Sequence, residues 1–166
     1  MSRGEMPKLP SPEHVTRLLA DLVGRRVIIH KTTRMAKTEL AGAASYVDGA
    51  GRVRYVAAVN VAFLASSGAA LALFPVGAVA DAIQSGKLPA NMLENAYEIL
   101  NVASALMNEM EGAVHVKIAA LDLAPSLPET VRAVIEKPLV GFDMEVEISG
   151  YPKGKLSLMS ANVGRA

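Results

Sequence analysis

Residues 94–108 read ENAYEILNVASALMN, and the prediction of the fold depends on this stretch. Apolar residues recur at helical spacing from Met92 to Met110, which predicts a helix with one broad face directed at a core. A second stripe follows alternating spacings of four and three residues and contains carboxylates and carboxamides but no cation. The members of this stripe are Glu94, Glu98, Asn101, Ala105 and Asn108.

The stripe has a structural and a functional interpretation. In the structural one it is a solvated face of a helix that begins at an Asn91 cap, with Glu94 in the capping-box position. That helix is predicted to run to about Glu111, with Gly112 as its terminator. Asn101 favours function, because Asn in the middle of a helix costs roughly several tenths of a kcal/mol relative to Ala. Its amide can donate and accept hydrogen bonds at once, as the positioning of a water molecule requires.

The composition limits the remaining classes of protein. At 166 residues the chain is predicted to form one domain over 11–166, after a flexible tail at 1–10. Lys and Arg number 17 against 16 Asp and Glu, so no charge excess predicts a nucleic-acid or membrane partner. The absence of cysteine excludes disulfides, thiolate catalysis and zinc–thiolate sites. The N-terminus lacks the apolar core of a signal peptide and the longest apolar stretch is interrupted by polar residues, so we expect a soluble, cytoplasmic protein.

Long helices alternate with hairpins along the chain, which predicts an α+β fold with a largely antiparallel sheet and the long helices packed on one face. Besides the helix already described, helices are predicted at 12–23 and 75–86, and a short helical turn within 125–138. Strands are predicted at 26–31, 41–48, 52–61, 69–74, 114–121, 142–148 and 155–160. A turn is expected at Ser66-Ser67-Gly68, before the strand at 69–74.

Two further groups of residues have alternative interpretations. The basic segment 25–37 is either a solvated strand edge or a site that holds an anionic ligand such as a nucleotide. The acids Asp143, Glu145 and Glu147 alternate along a strand; this favours an ordinary half-buried strand over a metal site. The histidines lie in separate contexts without metal-ligand spacing, and we expect structural roles for His14, His30 and His115.

The stretch YEILNVASALMNE resembles the motif helix of the CheC/CheX/FliY family of chemotaxis phosphatases. That helix carries an acidic or hydroxyl residue, then Glu four positions later and Asn after three more, which corresponds here to Glu94, Glu98 and Asn101. The flanking segments LALFPVGAVADAIQSGKLP and HVKIAALDLAPSLP are also similar, and the likeness extends from about 53 to 160. A single copy of the motif is closer to CheX than to the two-copy CheC.

The resemblance implies dephosphorylation of a phosphorylated CheY-type response regulator by a homodimer. Asn101 would orient the attacking water and Glu98 would contact the regulator's lysine, while Glu94, Ala105 and Asn108 would lie against the partner. The protein would need no cofactor of its own, because the regulator supplies Mg²⁺. Two departures from the family pattern are Glu94, where Asp or Ser is usual, and Ala105, near the position of a usual Gly. They leave a second hypothesis open: a non-catalytic regulator-binding or flagellar-switch-type adaptor.

Overall fold

The computed structural model describes residues 8–162 and contains a six-stranded, fully antiparallel sheet in the order β1-β5-β6-β3-β2-β4. The strands are β1 (Val27–Lys31), β2 (Gly42–Val47), β3 (Val53–Val59), β4 (Lys117–Leu123), β5 (Val140–Ile148) and β6 (Gly154–Ser160). The helices are α1 (Pro12–Val23), α2 (Val61–Ala72), α3 (Val76–Ser85), α4 (Ala90–Val102), α5 (Ser104–Asn108) and α6 (Glu129–Glu136). This architecture confirms the predicted α+β class with an antiparallel sheet.

The two faces of the sheet are covered unequally. The main core lies under α1, α2 and α4, and residues from alternate positions of the strands, such as Leu156 and Leu158 of β6, point into it. The other face holds a smaller core, in which Met159 of β6 packs with Val131 and Val134 of the short helix α6. The long helices therefore share one face, as predicted, and α6 covers part of the other.

Several elements form where local chemistry predicts them. Helix α1 begins at Ser11, whose hydroxyl accepts a hydrogen bond from the His14 amide, and it ends at Gly24 in the left-handed conformation. The β2–β3 hairpin is closed by Asp48, whose carboxylate accepts the backbone amides of Ala50 and Arg52. Of the tail predicted at 1–10, residues 1–7 lie outside the described residues, whereas Leu9 packs on the main core and Pro10 is buried.

The prediction of a strand at 69–74 after a turn at Ser66-Ser67-Gly68 is wrong. Residues 66–72 belong to α2, which is buried continuously from Phe63 to Ala70 between the sheet and the neighbouring helices, and Leu73 and Phe74 follow the end of this helix. A helix that is buried on nearly every side has no polar face, so its sequence lacks the helical period. The signal that predicts α2 is Asn60, whose Oδ1 caps the helix by accepting the Phe63 amide at 2.9 Å.

The predicted extent of the motif helix also needs correction. Helix α4 begins after Pro89, so Asn91 is not its N-cap and Glu94 is not a capping-box residue. The helix breaks at Ala103 and continues only as the five-residue α5, so it does not reach Glu111 as predicted. Within residues 8–162, no helix combines the length and apolar character needed to cross a bilayer.

Candidate functional site

Helix α4 is fixed on its inner side by a buried row of side chains. Met92, Ala96, Ile99 and Leu100 are all almost fully buried. The row lies against α2, and the approach is so close that a Cβ at Gly68 of α2 would be 2.1 Å from the Met92 carbonyl oxygen. The outer side of α4 is thereby held at a defined height above the sheet.

The α4 helix is also tied to its surroundings by two hydrogen bonds. The phenol of Tyr46, in the buried strand β2, donates to the Leu100 carbonyl at 2.6 Å, and burial raises the pKa of this phenol well above its ordinary value. The Asn95 amide donates to the Gly68 carbonyl at 3.2 Å. Leu100 directly precedes Asn101, so the hydrogen bond from Tyr46 to the Leu100 carbonyl fixes the backbone next to the residue predicted to position the water.

The outer side of α4 presents the two residues predicted to be catalytic. Glu98 is exposed and Asn101 is half-buried, and the spacing of three residues places both on adjacent turns of one face. Glu94 is exposed one turn before Glu98. The structure thus brings together the Glu94, Glu98 and Asn101 part of the predicted stripe.

A shallow concave surface adjoins the two glutamates. Tyr97 of α4 and Leu121 of β4 line it together with Glu94 and Glu98. Sequence reasoning did not single out Tyr97 or Leu121. The position of Tyr97 directly before Glu98 in the sequence could have indicated that it lies beside the site. Leu121 reaches the site only because β4 lies beside α4.

The break at Ala103 separates the rest of the stripe from this surface. At the break, the Ser104 hydroxyl donates a hydrogen bond to the Asn101 carbonyl at 2.8 Å. Ala105 follows in α5 and is half-buried. The carboxamide of Asn108 is engaged with the backbone of Val116, donating to its carbonyl at 2.9 Å and accepting its amide at 2.8 Å. Asn108 therefore has a clear structural role, which is to fix the connection that leads into β4.

The other predicted candidates lie away from α4. Asp143 accepts a hydrogen bond from the Ser157 hydroxyl at 2.6 Å, and Glu145 lies 3.8 Å from Lys153. Across residues 8–162, no three His, Asp or Glu side chains converge on a position that could hold a metal ion. The structure also separates the histidines: His14 lies in the first turn of α1, His30 lies in the edge strand β1, and His115 precedes β4.

The basic segment 25–37 divides into two parts. Arg25 stacks over the ring of Tyr151 at 5.1 Å and donates to the Ser149 carbonyl at 3.2 Å, so its role is structural. Arg34 and Lys37, by contrast, line a cavity on the face of the sheet opposite α4.

Comparison with known proteins gives a match in structure and none in sequence. No family model and no curated protein sequence matches this chain. Thermotoga maritima FliY is 15% identical over 89% of this chain and 82% of that chain, with a TM-score of 0.54. A chain of the FliM–SpeE complex from H. pylori is 10% identical over 90% of this chain and 80% of that chain, with a TM-score of 0.59. A chain of the CheX–CheY–BeF3–Mg²⁺ complex from Borrelia burgdorferi is 8% identical over 89% of this chain and 93% of that chain, with a TM-score of 0.49.

The matches to FliY and to the chain of the FliM–SpeE complex define the class of fold. The chain has the fold found in FliY, and the predicted resemblance to the CheC/CheX/FliY family is confirmed at the level of fold.

Proposed function

We propose that this protein dephosphorylates a CheY-type response regulator, with α4 inserted at the regulator's active site. The observation that carries the proposal is the pairing of exposed Glu98 with half-buried Asn101 on the outer face of a helix whose inner face is anchored in the core. The same Glu–x–x–Asn spacing marks the motif helix of the family that the sequence resembles, and the fold is that of FliY.

The reaction is hydrolysis of an aspartyl phosphate, in which water attacks phosphorus and the aspartate carboxylate leaves. Such a phosphoryl transfer depends chiefly on in-line positioning and on neutralisation of charge. The Asn101 amide can hold the water by donating a hydrogen bond to its oxygen through Nδ2 or by accepting a hydrogen bond from one of its O–H groups at Oδ1. The Mg²⁺ and the phosphorylated carboxylate belong to the regulator.

The charge pattern of α4 supports a partner that presents a cation. Glu98 and Glu94 are exposed and lie on the same face, and the outer stripe contains no Lys or Arg. A carboxylate can form a charge-assisted hydrogen bond with a lysine of the regulator, whereas a cation on this stripe would repel it. Glu98 is therefore assigned the contact with that lysine, and Glu94 a contact at the rim.

A second candidate function is an adaptor that binds the regulator without accelerating phosphate loss. It is favoured by two departures from the family pattern: Glu94, whose side chain is longer than the Asp or Ser usual there, and Ala105, which lies near the position of a usual Gly. The fold also matches a chain of the FliM–SpeE complex. In both candidates the protein is cytoplasmic and α4 is the surface that meets the regulator.

We include a homodimer in the proposal. Within residues 8–162, β1 and β4 are the edges of the sheet, each paired with one neighbour. Unpaired strand edges can associate across a twofold axis. Light scattering coupled to size-exclusion chromatography gives the mass in solution, and a monomeric mass at all concentrations would remove the dimer from the proposal.

The test of the proposed activity uses a panel of CheY-type regulators, each phosphorylated with radiolabelled phosphate. Each is mixed with the protein in the presence of Mg²⁺, and loss of label and co-precipitation are both measured. The phosphatase predicts faster phosphate loss from at least one regulator. Binding without faster loss would select the adaptor, and the absence of both would reject the two candidates.

A further inference from the structure

The face of the sheet opposite α4 contains a cavity of about 530 Å³. It lies beneath the connection between β1 and β2, residues 32–41, which crosses the sheet from the edge strand β1 to β2. A backbone bond from Thr32 to the Asp143 carbonyl starts the crossing, and one from Ala41 to the Val59 carbonyl ends it. Nothing in the proposed phosphatase activity uses this face.

The connection is tied down at two points over the cavity. The Arg34 guanidinium donates to the carbonyls of Ile135 and Glu136 at the end of α6. The last carbonyls of a helix lack intrahelical partners and carry partial negative charge, so they suit a guanidinium. Further along, Glu39 and Lys155 form an ion pair at 2.7 Å. These ties hold residues 34–40 over the sheet as a roof.

The cavity owes its depth to small side chains on three adjacent strands. Its floor contains Ala58 of β3, Gly141 of β5 and Ser157 of β6. Apolar side chains form its walls, and they are Met35, Leu40, Ile135 and Met159. A volume of 530 Å³ falls in the range of about 300–1,000 Å³ typical of small-molecule sites, and an apolar lining with few polar groups is their usual composition.

The polar groups of the cavity are placed unevenly. Lys37 is an exposed lining residue of the roof and takes no part in the ion pairs found among residues 8–162. Asp143 is half-buried in the floor, where its carboxylate accepts the Ser157 hydroxyl at 2.6 Å. Glu136 lies on the exposed end of α6. An acidic group of a ligand is therefore attracted to Lys37, and Asp143 keeps it off the floor.

We propose that this cavity binds a small organic anion, with its apolar body on the floor of small residues and its acidic group at Lys37. Arg34 shapes the entrance through its bonds to α6 and adds a second positive charge. The proposal gives a role to Arg34 and Lys37 of the basic segment, which line the cavity, whereas Arg25 of the same segment stacks on Tyr151. It is independent of the phosphatase activity assigned to α4.

The test titrates the full chain with anilinonaphthalene sulfonate, an anionic aromatic dye, and with Nile red, a neutral one. Gly141→Val fills the floor. A Cβ at Gly141 would be 3.6 Å from Pro138 and 3.7 Å from Met159, which are ordinary contacts, so the smaller variant Gly141→Ala serves if the larger one does not fold. Lys37→Gln removes the cation, and Lys117→Gln, at an exposed position of the edge strand β4, is the matched control.

We expect one saturable site for the sulfonate dye on the folded protein. Gly141→Val should weaken both dyes at least about 10-fold by occupying the space of the ligand. Lys37→Gln should weaken only the sulfonate dye, by about 3-fold to 10-fold, because one partly solvated ion pair is lost. Lys117→Gln should change neither.

Three results would overturn the proposal: no saturable binding of the sulfonate dye, equal binding by wild type and the Gly141 variant that folds, or equal effects of the two lysine substitutions. Because this dye also stains partly folded states, each variant must first show a cooperative thermal transition.

Discussion

Replacement of Gly68 by Ala tests whether close packing of α2 on α4 sets the position of the candidate site. The added Cβ would lie 2.1 Å from the carbonyl oxygen of Met92 and 3.0 Å from its carbonyl carbon. Real Cβ contacts essentially never fall below 3.0 Å, so the helices must separate by about 0.9 Å. The obstacle is the backbone of α4, which cannot turn aside as a flexible side chain would.

The expected cost follows from two opposing effects. Overpacking of a core costs about 1–3 kcal/mol, and a clash with helix backbone belongs at the upper end of that range. Ala in place of Gly inside a helix returns about 1 kcal/mol. We therefore expect Gly68→Ala to lower the free energy of unfolding by about 2 kcal/mol. Separation of the helices also stretches the bond from Asn95 to the Gly68 carbonyl, now 3.2 Å.

Urea denaturation followed by circular dichroism measures this change. Gly77→Ala in α3 is the matched control, because a Cβ there meets nothing within 4 Å and should give equal or greater stability. If Gly68→Ala were as stable as Gly77→Ala, the account of how α4 is positioned would be refuted.

Two further predictions concern polar side chains. Asn108→Ala leaves the amide and carbonyl of buried Val116 without their partners and should lower the unfolding free energy by about 1–3 kcal/mol in the same denaturation assay; an unchanged midpoint would contradict the structural role of Asn108. The Arg54 guanidinium beside Asp48 and the amides of the hairpin hold the pKa of Asp48 at about 2, below its ordinary value of 3.8. Ionised Asp48 therefore stabilises the fold above pH 3.8, and the stability difference between wild type and Asp48→Asn should shrink as the pH falls toward 2; a difference independent of pH in thermal melts would reject this.

The sequence predicted the elements whose signals are local. Ser11, Pro12 and Gly24 define both ends of α1, and the structure places the helix there. The turn at Asp48 likewise places the β2–β3 hairpin, because its hydrogen bonds join residues only a few positions apart.

The elements that were predicted wrongly depend on tertiary context. Helix α2 lies between the sheet and its neighbouring helices and is buried on nearly every side, so its sequence lacks the alternation of apolar and polar residues that indicates a helix. The sequence around the break at Ala103 contains no Gly or Pro, the residues that would have indicated the end of a helix. The bonds of Asn108 to Val116, which fix the segment after the break, join residues in different elements.

The candidate site was predicted only in part for the same reason. Glu94, Glu98 and Asn101 share a face by their spacing alone, and the structure brings them together. Leu121 joins that surface through the sheet, and the cavity at Lys37 forms only when residues 32–41 cross three strands. Spacing along the chain contains no information on such contacts.

The central claim is that Asn101 positions the attacking water, and the most direct test separates the rate of phosphate loss from binding. Phosphate loss from a responsive regulator is measured at saturating concentrations of wild type, Asn101→Ala and Gln84→Ala, the last removing an exposed carboxamide from α3. We predict that Asn101→Ala lowers the saturated rate at least about 100-fold and changes the affinity for the regulator little. The control variant Gln84→Ala should keep full activity. An Asn101→Ala variant with the wild-type rate would contradict the claim.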